Sequence, residues 1–207
     1  MTGIVAQNVG RASGLIKSAG GGGGGVWTKI KEITASADST IDFVDGTSDV
    51  VLDSTYPIYV FKFYNIHPET DDQHFTFQAN ASGGSGFNET ITSTHFRAYH
   101  FEDGSNQGLA YRTANDQAQG TSYQRLSEEI GNGNDESLSG YLHLFNPSSS
   151  VFVTHFIART SLNIGSPRDT FVAGYINTTS AIDEISFAFT SGDIDTGTFK
   201  LYGIKDS

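Results

Sequence analysis

The densest group of side chains able to do chemistry is His67-Pro68-Glu69-Thr70-Asp71-Asp72-Gln73-His74, which offers two imidazoles and three carboxylates. Those are ligand types for a divalent metal, but an HExxH site needs both histidines on one helical face, and a segment containing a proline does not impose that geometry. Acidic turns are common at solvated hairpin tips, so the expectation is a turn with no bound metal. Asn132-Gly133-Asn134-Asp135-Glu136 and Asp193-Ile194-Asp195-Thr196-Gly197 carry oxygen ligands at alternate positions. Neither completes a calcium loop with its distal Glu, and turn chemistry explains both; the second reads as a hairpin turn between the last two strands.

No G-x-S-x-G elbow or comparable local signature marks a nucleophile, so no catalytic residue is assigned and the chain reads as a non-enzyme with no cofactor. The six histidines are His67, His74, His95, His100, His143 and His155. Four fall in expected strands beside aromatics, where a satisfied core or interface histidine is the plain reading. Trp27 and the tyrosines have the amphipathic rings of a sugar-stacking platform, although core and inter-subunit packing are the commoner fates of such residues.

The run Gly20, Gly21, Gly22, Gly23, Gly24 and Gly25 matches a nucleotide-binding G-x-G-x-x-G trivially. No strand pattern precedes it, no helix pattern follows, and the G-K-[ST] ending of a P-loop is missing, so it reads as a flexible linker. It divides an N-terminal docking arm, residues 1–19, from a body of residues 26–207. The arm holds Ile4, Val5, Val9, Leu15 and Ile16 among small residues, too few to close a core, with Arg11 and Lys17 as its charges. These seven are the expected contacts to a partner surface. All 23 acidic residues lie beyond the glycines, the first being Glu32.

The net charge of -11 leaves little cationic surface to neutralise phosphates, which argues against nucleic acid and anionic membrane as partners. Neither a signal peptide nor a transmembrane helix is readable, so a soluble, non-exported protein is expected, and the sequons at Asn80, Asn88 and Asn177 read as chance matches. The chain has no cysteine, so there is no disulfide framework.

The elements that must carry these groups are strands. Aromatics make up 12% of residues, and Gly, Ser, Thr and Asn punctuate the chain every few positions, a composition of strands and turns. Period two is clearest at Phe75-Thr76-Phe77-Gln78-Ala79-Asn80-Ala81, which predicts a half-buried strand with Phe75, Phe77, Ala79 and Ala81 inward. Similar runs at 26–34, 40–45, 57–66, 94–101, 138–145, 151–158, 170–176, 184–191 and 197–204 give roughly ten strands, hence a two-sheet sandwich or a barrel. Segment 57–66 has apolar residues on both faces, Ile58, Val60 and Ile66 against Tyr59, Phe61 and Phe63, and is expected to sit centrally. Residues 107–134 break the pattern. Tyr123, Leu126 and Ile130 have helical spacing and Thr121 stands three before Gln124 as in a capping box, so a long excursion with a short helix is expected, either functional or a crossover between sheets.

Two stretches carry a family resemblance: Tyr56-Pro57-Ile58-Tyr59-Val60-Phe61-Lys62-Phe63-Tyr64-Asn65-Ile66-His67-Pro68, and Ile185-Ser186-Phe187-Ala188-Phe189-Thr190-Ser191-Gly192 with Gly197-Thr198-Phe199-Lys200-Leu201-Tyr202-Gly203. With Gly3-Ile4-Val5 and Ser13-Gly14-Leu15-Ile16 in the arm, they resemble structural proteins of tailed bacteriophages, notably marine ones. The resemblance implies a jelly-roll-like β-sandwich on the virion, often trimeric, as capsid decoration, head fibre or tail component. It brings no catalytic or ligand residue. The expected function is capsid decoration, with the arm held by the major capsid protein or another virion protein. The alternatives are a tail-fibre or tail-tip protein binding a host-surface glycan or protein, and, from a different class, a carbohydrate-active enzyme or calcium-dependent lectin.

Overall fold

The computed structural model describes residues 27–205. The arm residues Ile4, Val5, Val9, Arg11, Leu15, Ile16 and Lys17 and the linker from Gly20 to Gly25 lie outside them. The described residues form thirteen strands and no helix: β1 Trp27–Asp38, β2 Ile41–Val44, β3 Ile58–Pro68, β4 Gln73–Ala81, β5 Ile91–His100, β6 Gln107–Tyr111, β7 Ala118–Gly120, β8 Gln124–Ile130, β9 Leu138–Phe145, β10 Thr154–Asn163, β11 Pro167–Ile176, β12 Ile182–Phe189 and β13 Ile194–Ile204.

Eight strands form a nested ribbon in which β1 pairs with β13, β2 with β12, β3 with β9 and β4 with β8, all antiparallel. Folding that ribbon over itself adds the pairs β13·β3 and β12·β4 and splits it into two sheets, β1-β13-β3-β9 and β2-β12-β4-β8. This is a jelly roll. The other strands are two insertions, β5 to β7 between β4 and β8, and β10 with β11 between β9 and β12. The insertions pair with each other through β11·β5 and extend the first sheet past β9 to nine strands, ending at β6. We call this extension the wing.

The alternation read from the sequence places the core. Phe75, Phe77, Ala79 and Ala81 of β4 face Tyr59, Phe61 and Phe63 of β3, and Phe187 stands between them with ring centroids 5.1 Å from Phe63 and 5.3 Å from Phe61. The other face of β4 is also buried, so the strand is not half-buried. Gln78 there donates to the carbonyls of Glu89, Thr121 and Ser122 at 3.0, 3.1 and 3.0 Å, which lets flanking loops cover it at no loss of hydrogen bonds.

β3 lies between β13 and β9, as its two apolar faces suggest. Ile66 departs from the expected alternation. A bulge with Asn65 at φ 51° turns Ile66 from the face of Val60 to the core side. Residues 107–134 contain β6, β7 and β8 and no helix, which corrects the expected short helix. Leu126 and Ile130, four apart, share a face in a strand as well as in a helix, and Gln124 is a buried cross-strand partner instead of a cap. Asp193-Ile194-Asp195-Thr196-Gly197 is no hairpin turn either. β12 and β13 lie in different sheets, and the chain crosses between them at residues 190–193 with Gly192 at φ 72°.

Candidate binding surface

The outer face of the nine-stranded sheet is covered by no other layer among the described residues, and the register organises its side chains in rows across the strands. One row runs Glu32, Lys200, Lys62, Tyr141, Arg159, Phe171, Phe96, Tyr111 from β1 to β6. The next runs Tyr202, Val60, His143, Ile157, Ala173. A third runs Trp27, Ile204, Ile58, Phe145, His155, Tyr175. Alternate residues of every strand face outward, so nine strands deliver a wide field of aromatic and aliphatic groups. Six of the large exposed hydrophobics, Trp27, Tyr64, Phe96, Leu109, Tyr111 and Ile157, lie on this face.

At the β1 end Trp27 is 42% exposed and lies over Lys62, whose Nζ is 4.4 Å from the indole centroid. Tyr202 and His143 meet the indole edge-on with centroids 5.7 and 6.4 Å away. This group roofs Val60, so the second apolar face of β3 is covered by side chains of its own sheet. Burial, then the nearby Lys62 ammonium, holds the His143 imidazole below its ordinary range. At the wing end Phe96 and Phe171 stack with centroids 4.9 Å apart and planes 6° from parallel, and the Arg159 guanidinium sits 4.8 Å from the Phe171 centroid. Arg159 also donates to both carboxylate oxygens of Asp169, at 2.8 and 2.6 Å. Lys29, Lys62, Lys200 and Arg159 outnumber Glu32 and Asp169, so the face is basic on a chain of net charge -11.

The groups singled out in the acidic turn are separated by the fold. His67 Nε2 lies 3.2 Å from the Gly133 carbonyl and its Nδ1 3.3 Å from Asp195, outside hydrogen-bond geometry. His74 turns instead toward β8, with Nδ1 at 3.0 Å from the Ser127 carbonyl and Nε2 at 3.6 Å from Glu129. Among the described residues no three histidine or acidic side chains are grouped to hold a metal ion. Each imidazole bonds a backbone carbonyl and not a hydroxyl, so neither forms the nucleophile–base pair of covalent catalysis. Asn132 and Glu136 are absorbed by turn chemistry: Asn132 donates to the Glu69 carbonyl at 3.0 Å, and Glu136 accepts the Gly133 N–H at 2.9 Å.

Behind the face, between the wing and β8, lies a polar interior that no short motif announces. Glu128 is fully buried. Its Oε1 accepts from Arg112 Nε at 3.1 Å and Asn115 Nδ2 at 2.9 Å, its Oε2 from Arg97, and Arg168 stands 4.0 Å away. His95 lies fully buried beside this group with both ring nitrogens unpartnered, so it is not the satisfied histidine expected from sequence. Desolvation, then the charges of His74 and Arg112, pushes its imidazole down to about 4. The wing residues of the outer face carry no motif either: Phe96 and Ile157 fall in expected strands, and Leu109 and Tyr111 in the stretch expected to leave the strand pattern. Trp27 and the tyrosines, Tyr111 among them, are the members of this face whose residue type marks them in the sequence.

No protein-family model matches the chain, and no curated protein matches it significantly. No helix among the described residues is long and apolar enough to cross a membrane.

Proposed function

We propose that this chain is a structural protein of a tailed-bacteriophage virion, a capsid decoration protein of the cement or head-fibre kind that the major capsid protein or another virion protein holds through the N-terminal arm. The observation that carries the reading is the uncovered outer face of the nine-stranded sheet. It spans about 1,000 Å² from strand spacing and rise, more than the roughly 800 Å² each partner gives to a standard interface. A broad aromatic sheet face of that size suits protein contact more than the enclosed, convergent geometry of a small-molecule site. Trp27, the first described residue, lies on this face. Arm and face can then grip one partner, with Ile4, Val5, Val9, Leu15 and Ile16 supplying apolar burial and Arg11 and Lys17 supplying charge. Deleting residues 1–19 should abolish attachment to purified particles while the far-ultraviolet spectrum of the β body persists. Full occupancy by the truncated protein would sink the arm model.

A second reading is a tail-fibre or tail-tip protein that binds a host-surface glycan. The cluster of Trp27, Lys62 and Tyr202 favours it, because an exposed indole flanked by a cation presents a flat apolar face with a polar rim to a sugar. Purified protein that neither binds host cells nor competes with particle adsorption counts against it. Trp27→Ala should remove any such binding.

A further inference from the structure

Among the described residues the two sheets have four edges, and three are blocked. β1 carries Lys29, Lys31 and Glu32 and a bulge between Lys29 and Lys31, the charged and irregular edge that resists pairing. β2 is four residues long and includes Asp42. β8 is packed under the wing, where its Leu126 carbonyl accepts from Thr160 Oγ1 at 2.7 Å. β6, which shares the remaining edge with the three-residue β7, has neither the charges nor the bulge of those strands. Its sequence, Gln107-Gly108-Leu109-Ala110-Tyr111, holds no charge and no proline.

The ladder shows which backbone groups β6 leaves free. Arg112 N–H donates to the His95 carbonyl at 2.8 Å and Phe101 N–H to the Asn106 carbonyl at 2.8 Å, so the bonded pairs of β5·β6 fall at 95/112, 97/110, 99/108 and 101/106. The N–H and C=O groups of Gln107, Leu109 and Tyr111 therefore point away from β5, toward the open edge. The side chains of the same residues stand on the outer face, with Leu109 73% and Tyr111 53% exposed.

We propose that the β6 edge is a strand-addition site for the β6 edge of a second copy of this chain, antiparallel and two-fold, which joins two nine-stranded sheets into one. The register closes only around Leu109. Leu109 stands opposite Leu109 of the other copy and Gln107 opposite its Tyr111, so every free N–H and C=O of both edges finds a partner of opposite kind. A two-fold axis normal to the sheet keeps both outer faces on one side and continues the row of Phe171, Phe96 and Tyr111 into Gln107 and His100 of the other copy. The uncharged segment makes the contact self-compatible. The contact is smaller than the roughly 1,200 Å² of stable complexes, so the equilibrium is concentration-dependent. With a net charge of -11 on each copy, salt strengthens it by screening repulsion away from the seam.

Sedimentation velocity of the full chain from about 1 to 300 μM, at low and high salt, tests this directly, since micromolar affinities fall in that window. The expected result is a reversible rise from the 22.2 kDa chain to twice that mass, stronger in salt. Leu109→Lys should weaken association at least about tenfold, as an edge lysine does. Leu109→Pro should do the same, because the lost N–H belongs to the open edge and not to the β5 ladder. Lys29→Ala on the opposite edge should change nothing. Amide exchange of the unmodified chain gives a reading that needs no variant: Leu109 and Tyr111 should become protected as concentration rises, while Ala110, bonded to β5, stays protected throughout. A monomer across the whole range, a trimer, a dimer indifferent to both Leu109 variants, or concentration-independent exchange at Leu109 each overturns the proposal.

Discussion

The space between the two sheets of the roll and the space between the wing and β8 are both closed to solvent, and they are filled with opposite materials. The first is a cluster of Phe43, Phe61, Phe63, Phe75, Phe187 and Phe199 in edge-to-face and stacked contact, with no charge within it. The second gathers Arg97, Arg112, Asn115 and Arg168 around Glu128, with His95 and Thr170 leaving buried polar atoms unpartnered. An aromatic core is held by area and shape and tolerates any pH. A polar interior is held by satisfied partners, and each missing partner costs more than the contact itself contributed. The roll should therefore be the robust half of the molecule and the wing the conditional half.

The largest blow to that contrast falls on the roll. Phe187 touches Phe43, Phe61, Phe63, Phe75 and Phe199, so Phe187→Ala should cost about 5 kcal/mol in urea unfolding and lower protection in both sheets together. A loss confined to one sheet would break the claim of a single shared core. Glu128→Gln comes next. It leaves three guanidinium groups without their carboxylate and should cost about 4 kcal/mol, with amide exchange rising first in β5, β6 and β11. Uniform exchange across the body would mean that the wing has no separate stability.

Acid offers a third test. His95 titrates in the fold at about 4, below its unfolded value, so its contribution is complete above about pH 6.5 and declines as pH falls toward 4, by on the order of 3 kcal/mol. His74, also lowered by burial, acts in the same direction. Thermal melts from pH 7 to 4 should show the loss, and His95→Leu should flatten the profile; an unchanged slope in that variant assigns the effect elsewhere. The smallest effect belongs to the outer face. Trp27→Ala should change stability by no more than about 1 kcal/mol, because the indole is half in water, while it alters whatever the face binds.

How much of this was readable in advance follows from the range of each interaction. Period two in Phe75-Thr76-Phe77-Gln78-Ala79, turn residues between the runs and the near-absence of proline inside them determine strands and a sandwich, because alternation and turn preference are local properties of the chain. The separation of a basic arm from an acidic body by six glycines is likewise written in composition. Helical spacing at Leu126 and Ile130 misled because four residues complete a repeat of both periods, and only the pairing of β8 with β4 chooses between them.

What the tertiary structure alone decided is which residues meet. The carboxylate of Glu128 takes its partners from positions 97, 112, 115 and 168, brought together by two insertions that pair with each other across the chain. Whether Phe96 faces a core or water depends on whether a second layer lies over its sheet, and alternation is the same in both cases. Which of four edges stays open is also decided by neighbours distant in sequence. Local periodicity determined the strands, and long-range pairing determined the buried charge, the exposed aromatic field and the free edge at β6.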